Sequence, residues 1–299
     1  VEECDVRLQE SIVRASEKIL GNMKKSPVVL LSGPSGSGKT TTAMKIEEEL
    51  ESRGVSTVTI SMDNYFKTLD PETAPRTPEG EIDFESPELL DMELLNKHFT
   101  ALERGEKIRI PHFIFSLQER SATRFTPLRL RENEVAIFEG IHALNDCITY
   151  AHPEAVKLYI SANSHFAKDG ALILESSWLR LTRRVVRDVN FRGTDAYTTL
   201  KLWANVLRGE KLYIDPYIHK ADISIDSTLP YEVSLLKRYA EPLFKEISPS
   251  TPEYAQLEKI SQAFERFTEL SPKYVSSTSL LREFIGGSAY FADNKEDVS

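Results

Sequence analysis

The most constraining feature of the sequence is an unbroken G-x-x-x-x-G-K-[ST] motif at residues 33–40. The apolar residues 28–31 before it predict a buried strand, and residues 41–53 after it have helical periodicity with Gly54 as the expected C-cap. A phosphate-binding loop requires this order of strand, loop and helix. We therefore expect a nucleoside triphosphate site formed by Gly33, Pro34, Ser35, Gly36, Ser37, Gly38, Lys39, Thr40 and Thr41.

The chemistry of such a loop follows from its backbone. Glycines let successive N–H groups turn toward a phosphate, and the positive end of the following helix favours the same negative charge. Lys39 is expected to reach the β- and γ-phosphates of ATP, and the Thr40 hydroxyl is expected to ligate Mg²⁺. ATP and Mg²⁺ are therefore the cofactors that the motif implies.

Composition and charge argue against several classes of protein. The net charge of −9 disfavours a general binder of nucleic acid or of anionic membranes, which would carry a basic excess. No apolar run reaches membrane-spanning length, and the amino end lacks a signal-peptide pattern. Two isolated cysteines, Cys4 and Cys147, fit a reducing compartment, so we expect a cytoplasmic location. The start at Val1 leaves open that the chain is a processed or excised part of a longer protein, and a homo-oligomer is also left open.

Strand-like and helix-like segments alternate over the first 230 residues, which predicts a three-layer α/β P-loop fold with a mainly parallel sheet. The main predicted helices are 5–20, 41–53, 87–104 and 177–191, and the main predicted strands are 28–31, 55–61, 135–138 and 156–160. Residues 107–115 and 124–130 predict a β-hairpin excursion. After residue 235 the helical segments are broken by prolines. We therefore divide the chain into a P-loop domain, 1–235, with an arginine-rich lid at about 177–193, and a helical C-terminal extension, 236–299.

Two acids follow predicted strands. Asp63 comes just after the strand at 55–61, whose carboxyl end should face the phosphates. A carboxylate there can accept a proton from an attacking hydroxyl or hold Mg²⁺ through water, although an Asp-Asn pair can also simply form a turn. Glu139 ends the apolar strand at 135–138 and is expected on the metal side of the site, the alternative being a capped strand end.

A basic helix is predicted at 177–191. Four arginines lie within eight residues of it: Arg180, Arg183, Arg184 and Arg187. A charge run is often only a solvated helix face, but in an acidic chain this one is typical of a lid that neutralises a triphosphate. Nucleic-acid binding is a weaker interpretation, because no pattern of stacking aromatic residues accompanies the run.

Taken together, these motifs resemble the uridine kinase and phosphoribulokinase family of P-loop kinases. The resemblance covers roughly residues 27–240, and besides the P-loop it rests on residues 61–66, 82–87, 110–113, 138–141 and 180–188. Residues 213–216, 231–233 and 281–288 resemble a bacterial uridine kinase-like branch of the family. The resemblance implies Mg²⁺-dependent transfer of the ATP γ-phosphoryl group to a hydroxyl of a small metabolite.

The resemblance also implies roles for individual residues. Asp63 matches the family's catalytic base, and Glu139 matches its metal-side acid, beside Thr40. Arg183 and Arg187 match lid arginines at the triphosphate, which act with Lys39 on the transferring group. The acceptor site is expected to include Tyr65, Phe66, Phe84, Glu85, Phe113, Gln118 and Arg120.

The acceptor side departs from the family pattern. Uridine-cytidine kinases carry a Tyr-Asp-Phe-x-x-His-Ser-Arg stretch, whereas residues 113–120 here have Phe113 and Gln118 in place of the tyrosine and the histidine. Glu85 is one methylene longer than the family's ribose-binding aspartate. A site that loses hydrogen-bonding partners loses discrimination. The first expected acceptor is a nucleoside such as uridine or cytidine, and the alternatives are another alcohol or sugar-like acceptor, or a regulatory P-loop ATPase with no small-molecule acceptor.

One further motif is interpreted as a coincidence. Residues 294–297 match the guanine-reading N-K-x-D string, but they lie in a charged tail with no apolar strand before them.

Overall fold

The computed structural model describes residues 2–291, with side chains described from Asp5 onward, so the N-K-x-D string lies outside the described residues. Its α-helices are α1 (Glu2–Asn22), α2 (Lys39–Ser52), α3 (Met92–Glu103), α4 (Asp146–Thr149), α5 (Ser176–Phe191), α6 (Ala196–Tyr213), α7 (Glu232–Lys245), α8 (Tyr254–Phe264) and α9 (Arg282–Ile285). Its strands are β1 (Val28–Ser32), β2 (Ser56–Ser61), β3 (Ile108–Ile114), β4 (Glu119–Leu128), β5 (Glu134–Glu139), β6 (Val156–Ser161), β7 (Phe166–Lys168), β8 (Ala171–Leu174) and β9 (Ile223–Asp226). Short 3-10 turns occur at Met62–Tyr65, Pro87–Leu89, Asp215–Lys220 and Pro272–Tyr274.

The central sheet has five parallel strands in the order β2, β5, β1, β6, β9. Alternate residues of β1 enter different cores: Val29 and Leu31 pack with α1 and α2, whereas Val28 and Leu30 pack with α3. Both faces of the sheet are therefore covered by helices, as near-continuous apolar strands require. This architecture confirms the predicted three-layer fold with a mainly parallel sheet.

The register of the sheet brings the ends of three strands together. Glu139, the last residue of β5, lies opposite Leu31 of β1 on one side and Ser61 of β2 on the other. The carboxyl ends of parallel strands share one edge, and ligands of open α/β sheets bind outside that edge. The P-loop leaves β1 at the same edge, so the sheet itself positions the candidate site.

Two antiparallel hairpins lie outside the central sheet. Strands β3 and β4 confirm the predicted hairpin, although β4 begins at Glu119 rather than at residue 124. The second hairpin, β7 and β8, was not predicted, because its strands are only three and four residues long. They are joined at Asp169 and Gly170, which both have positive φ.

One predicted helix, 87–104, is divided in the structure. Residues Pro87–Leu89 form a 3-10 turn, and α3 begins only at Met92. The side chain of Asp91 accepts a hydrogen bond from the Leu94 N–H at 3.0 Å and so caps α3. Leu90, between the two segments, is in an extended conformation, which interrupts the helix.

The C-terminal helices continue the core around α5. Helix α7 begins at Glu232, so the predicted division at residue 235 falls inside this helix. Val233 and Leu236 of α7 are buried in the same hydrophobic cluster as Leu179 and Val185 of α5. None of the helices within residues 2–291 is both long and apolar enough to cross a membrane.

Candidate functional site

The P-loop joins β1 to α2 in a conformation that depends on glycine. Gly36 and Gly38 have φ angles of 75° and 83°, in the left-handed region that residues with a Cβ rarely adopt. Gly38 is the N-cap of α2, so the helix begins at Lys39. The Ser37 hydroxyl is buried and has no hydrogen-bond partner in the described chain. The loop therefore offers helix N–H groups and a free hydroxyl to an anion, which fits a bound phosphate.

Lys39 is the cation at the centre of the loop. Its Nζ donates to the carbonyl oxygen of Pro34 at 3.2 Å. Burial lowers the pKa of Lys39, while the nearby carboxylates of Glu139 and Asp63 act in the opposite direction. Lys39 thus lies close to both acids that follow the strands.

Asp63 and Glu139 meet at the sheet edge because Ser61 pairs with Glu139 and Asp63 follows two residues later. The Asp63 N–H donates to the Ser61 hydroxyl at 3.3 Å, which caps the turn that carries the acid. Burial raises the pKa of Asp63, and it raises the pKa of Glu139 to about 7; Lys39 opposes both shifts. The structure therefore brings Lys39, Asp63 and Glu139 together, and their chemical roles remain predictions.

The residues at this centre fit a hard divalent cation. Thr40, half-buried at the second position of α2, supplies a hydroxyl, and Glu139 supplies a carboxylate. Among residues 2–291 there is no group of three or more His, Cys, Asp or Glu side chains that could hold a metal ion. Mg²⁺ commonly takes one or two protein oxygens and completes its shell with substrate phosphates and water, so the donor set is compatible with it.

Arg183 has a different position from the one predicted at the triphosphate. Its side chain is fully buried, and its Nε and Nη2 donate to the two carboxylate oxygens of Glu232 at 2.6 and 2.9 Å. Its Nη1 donates to the carbonyl oxygen of Gly36 at 3.1 Å. A buried guanidinium needs a charged partner, and Glu232 of α7 supplies it. Arg183 therefore ties the outer side of the P-loop to α7.

Other arginines of α5 surround the loop and the acids. Arg184 Nη1 donates to the Ser35 hydroxyl at 2.9 Å, which places a second guanidinium on the P-loop. The Arg187 guanidinium donates through Nε and Nη2 to Asp188 Oδ1 at 3.0 and 2.8 Å, and its charge lowers the pKa of both Lys39 and Asp63. The sequence predicts Arg187, but not Arg184, at the triphosphate, although both stand in the same basic run.

Glu85 lies beside the same cationic centre. Burial raises the pKa of Glu85 to about 7, and Arg184 and then Lys39 oppose that shift. Gly209 of α6 allows the close approach of that helix, because a Cβ at Gly209 would collide with the Glu85 side chain. The neighbouring Phe84 keeps 50% of its surface exposed. Of the two neighbouring residues predicted for the acceptor, Glu85 therefore lies near Lys39 and Arg184, and Phe84 is accessible to solvent.

Helix α6 supports the Glu85 loop through Asp83. The Asp83 carboxylate accepts from the Tyr213 hydroxyl at 2.9 Å and pairs with Arg208 at 2.6 Å. His142, also absent from the sequence predictions, is buried nearby with its ring centre 6.2 Å from that of Tyr213. Burial lowers the pKa of His142 to about 4, so the imidazole is neutral at pH 7. Asp83 and Tyr213 belong to the motif stretches 82–87 and 213–216, but the motifs do not show the contact that joins these distant segments.

Tyr65 is a core residue rather than a wall of the site. It is fully buried, and its hydroxyl shares a hydrogen bond of 2.8 Å with His98 Nδ1. Phe66, by contrast, is half-buried and packs on Phe113 with a ring separation of 5.5 Å. Of the predicted Tyr65-Phe66 pair, only Phe66 is thus available to the surface beside the hairpin.

Arg120 and Gln118 are engaged by the protein itself. Arg120 Nη1 contacts Asp91 Oδ2 at 2.8 Å, and its Nη2 donates to the carbonyl oxygen of Tyr65 at 2.8 Å. Arg120 therefore anchors the β3–β4 hairpin to the turn that carries Asp63. Gln118 lies half-buried at the tip of the hairpin, where its Nε2 donates to the Phe115 carbonyl at 2.8 Å. Both placements differ from the predicted contact with an acceptor.

The C-terminal segment also reaches the P-loop helix. The N–H and the hydroxyl of Thr41 donate to Glu283 Oε2 at 3.4 and 2.7 Å. The Leu280 side chain lies over Gly38 so closely that a Cβ there would collide with it. Glu283 is not among the predicted site residues. The sequence marks this acid only by its position within the stretch 281–288.

Comparison with known proteins identifies related sequences. A family model described as the Phosphoribulokinase / Uridine kinase family matches residues 28–234. The uridine kinase of Schizosaccharomyces pombe is 32% identical over 178 residues, which cover 60% of this chain and 35% of that protein. The uridine kinase of Macrococcus caseolyticus is 29% identical over 204 residues, which cover 68% of this chain and 89% of that protein.

The extent of these matches differs between relatives. The chain spans about a third of the length of the matched uridine kinases of Schizosaccharomyces pombe and Saccharomyces cerevisiae. Among solved structures, a protein from Bacillus stearothermophilus described as a possible uridine kinase is 18% identical, with a TM-score of 0.44. That match covers 67% of this chain and 88% of the other.

Proposed function

The chain belongs to the phosphoribulokinase and uridine kinase family, and from that premise we propose that it transfers the γ-phosphoryl group of ATP to a hydroxyl group of a small molecule. The observation that carries the proposal is the position of Lys39, at the start of α2 and beside the buried carboxyl groups of Asp63 and Glu139. Phosphoryl transfer depends mainly on positioning and on electrostatic stabilisation, and this cluster supplies groups for both.

On the donor side, the P-loop and its helix bind the phosphates. In the proposed complex, N–H groups at the start of α2 donate to phosphate oxygens, and Lys39 contributes a positive charge at the β- and γ-phosphates. Arg187, near both Lys39 and Asp63, stabilises negative charge on the transferring group. Arg184 holds Ser35 and so fixes the shape of the loop.

Asp63 is the proposed general base. A carboxylate whose pKa is raised toward neutral pH accepts a proton better than an ordinary aspartate, while Lys39 nearby favours its ionised form. Asp63 would take the proton of the acceptor hydroxyl and thereby make the oxygen a stronger nucleophile. Its place after β2 puts the carboxylate at the edge where the P-loop begins.

Thr40 and Glu139 are the proposed protein ligands of Mg²⁺. When bound, this ion neutralises charge on the phosphate groups. Because the pKa of Glu139 is raised to about 7, the carboxyl group must lose its proton to take part, and metal affinity should rise with pH in that range.

The first candidate for the acceptor is a nucleoside such as uridine or cytidine. Relatives named uridine kinase support it, as do the Glu85 carboxylate, which can accept hydrogen bonds from a vicinal diol, and the half-exposed ring of Phe84. The second candidate is another alcohol or sugar-like molecule. The observation that favours it is the engagement of Arg120 by Asp91 and by backbone carbonyls, which leaves no free guanidinium at that position to read a base.

The proposed setting is a reducing compartment such as the cytoplasm. Cys147 is exposed and forms no disulfide, which agrees with the low cysteine content of the chain. The proposed partner is a small-molecule acceptor; the net charge of −9 disfavours nucleic acid.

The test is a measurement of ADP release with ATP and Mg²⁺, with and without a panel of nucleosides, sugars and polyols. A kinase of this kind releases ADP at a rate that depends on the acceptor, and its product carries the transferred phosphate. ADP release that is the same with every acceptor would instead favour the third candidate, a regulatory ATPase. The Lys39→Ala variant is the control for contaminating activity.

A further inference from the structure

The C-terminal segment 276–291, here called the strap, lies along the P-loop helix. Leu280 covers Gly38 at the N-cap of α2, and Glu283 contacts Thr41 one turn further on. At the far end, the Tyr290 hydroxyl donates to Glu48 Oε2 at 2.6 Å. The strap therefore follows α2 from its N-cap to its third turn.

The strap is held in place by packing beyond the P-loop. Leu280, Leu281 and Phe284 are fully buried. The Phe284 carbonyl oxygen accepts from Asn190 Nδ2 of α5 at 3.1 Å, and the Arg183 guanidinium lies 5.4 Å from the centre of the Phe284 ring. Glu283 thus projects from an ordered segment toward the start of the helix.

The two groups that Thr41 offers to Glu283 are groups that a nucleotide also requires. The first N–H groups of a helix have no partner within the helix and attract anions. In a P-loop they cradle the α- and β-phosphates. The Glu283 carboxylate already accepts from the Thr41 N–H at 3.4 Å and from its hydroxyl at 2.7 Å. It therefore occupies donors that a phosphate oxygen in the proposed nucleotide site would use.

We propose that Glu283 competes with a nucleotide phosphate for Thr41, so that nucleotide binding displaces Glu283 and loosens the strap. This inference rests on the proposed nucleotide site. A carboxylate and a phosphate oxygen cannot accept from the same two donors, and their like charges repel at such a distance. Glu283 is accordingly a determinant of nucleotide affinity that opposes binding.

The first test measures the Kd for ATP in the presence of Mg²⁺ by calorimetry, using the wild type, Glu283→Gln and Glu283→Ala. Removal of the competing charge should lower the Kd by about three- to thirty-fold, which is the size expected for a charge at a helix N-terminus. Glu269→Gln is the matched control, because it removes the same charge from a surface residue that pairs with Arg238. Its Kd should stay within about twofold of the wild-type value.

The outcomes separate this inference from the proposed function. If none of the proteins binds ATP, the nucleotide site is wrong and the inference is wrong with it. If all bind ATP and the folded Glu283 variants bind equally well or more weakly than the wild type, only the competition is wrong. Circular dichroism establishes that each variant is folded.

The second test follows the strap itself by hydrogen exchange in the wild type. Addition of ATP and Mg²⁺ should increase exchange of the backbone amides at residues 279–287, since the contact between Glu283 and Thr41 is lost. The same addition should slow exchange in the P-loop at residues 33–41. Slower exchange in both segments would mean that the strap closes over the nucleotide, and it would overturn the proposal.

Discussion

The proposed phosphate side of the site is positioned by the backbone, whereas the proposed acceptor side is positioned by side chains from distant segments. On the phosphate side, the ends of β1, β2 and β5 meet through parallel pairing, and Gly38 starts the P-loop helix. On the acceptor side, Glu85 is supported by α6 through Asp83 and Gly209. The hairpin is held by Arg120, which contacts Asp91.

This difference has a consequence for specificity. A site formed by N–H groups and strand ends tolerates changes in the surrounding side chains, because no single side chain defines its geometry. A site formed by long-range side-chain contacts changes with each of those contacts. The position of the bound phosphates should therefore be set mainly by the backbone, and the choice of acceptor should depend on a few replaceable residues.

The largest effect is expected from a substitution on the phosphate side, Lys39→Ala. Lys39→Ala should lower turnover by about 10³- to 10⁵-fold, as expected when a cation at a transferring phosphoryl group is lost. The fold should remain intact, because among the described residues Lys39 makes a single hydrogen bond, to a loop carbonyl. ADP release measures the rate, and circular dichroism measures the fold. Turnover near the wild-type value in a folded variant would reject the assignment of the P-loop.

A second variant tests the point where the two sides meet. Asp63→Asn keeps the size of the side chain but removes the base, and it should lower kcat by about 10²- to 10⁴-fold. The Kd for ATP should change much less, since the P-loop is untouched. Equal losses in ATP affinity and in kcat would show that Asp63 holds the metal or the structure instead of a proton.

The contribution of Arg183 to holding the P-loop is tested by measuring the stability of the protein rather than the rate of the reaction. Arg183→Met leaves the buried Glu232 without its charged partner and should lower the free energy of unfolding by about 3–5 kcal/mol. Arg238→Met, which removes an exposed partner of Glu269, should cost less than about 1 kcal/mol. Urea unfolding measures both. Equal effects of the two variants would contradict the support assigned to Arg183.

The pH dependence of acceptor binding tests the role of Glu85 on the acceptor side. The pKa of Glu85 is raised to about 7, so this carboxyl group loses its proton as the pH rises through neutrality. Because the ionised form is the better hydrogen-bond acceptor, the KM for the acceptor should fall between pH 6 and pH 8. Glu85→Gln should raise this KM by roughly tenfold at pH 8 and remove its dependence on pH. An unchanged pH dependence of the acceptor KM in that variant would contradict the role of Glu85.

The preference among acceptors is expected to be weak. With Phe113 and Gln118 in place of a tyrosine and a histidine, we expect uridine and cytidine to be preferred over other alcohols by less than about 10²-fold in kcat/KM. Steady-state kinetics with uridine, cytidine, adenosine, ribose and several polyols measures this ratio. A preference of about 10⁴-fold for one pyrimidine nucleoside would mean that other residues read the base.

The sequence predicts the strand, loop and helix around the P-loop because their determinants are local. The strand, the loop and the helix occupy residues 28–53, and the pairing rule for parallel strands brings Asp63 and Glu139 to the same edge. Strand β9 was not predicted, because only Ile223 and Ile225 alternate over its four residues. Short strands carry too little periodicity to distinguish them from loops.

Contacts that span long sequence separations explain the remaining differences. Arg183 stands in a basic run typical of a phosphate-binding lid, and only the position of Glu232, in a helix that begins 49 residues later, shows that its charge is already neutralised. Arg120 and Tyr65 are similar cases, since their partners Asp91 and His98 come from other elements. Motif order identifies the residues but not the partners that the fold assigns to them.

The buried pair of Arg183 and Glu232 also constrains how this protein can evolve. Replacing either residue alone strands the opposite charge in the interior, so each single step is strongly disfavoured, whereas replacing both with apolar residues of similar size is tolerated far better. The two positions should consequently change together in descendants of this chain. Such a change requires a double substitution, because each single substitution is strongly disfavoured. The conformation of the P-loop should be conserved together with the first turn of α7.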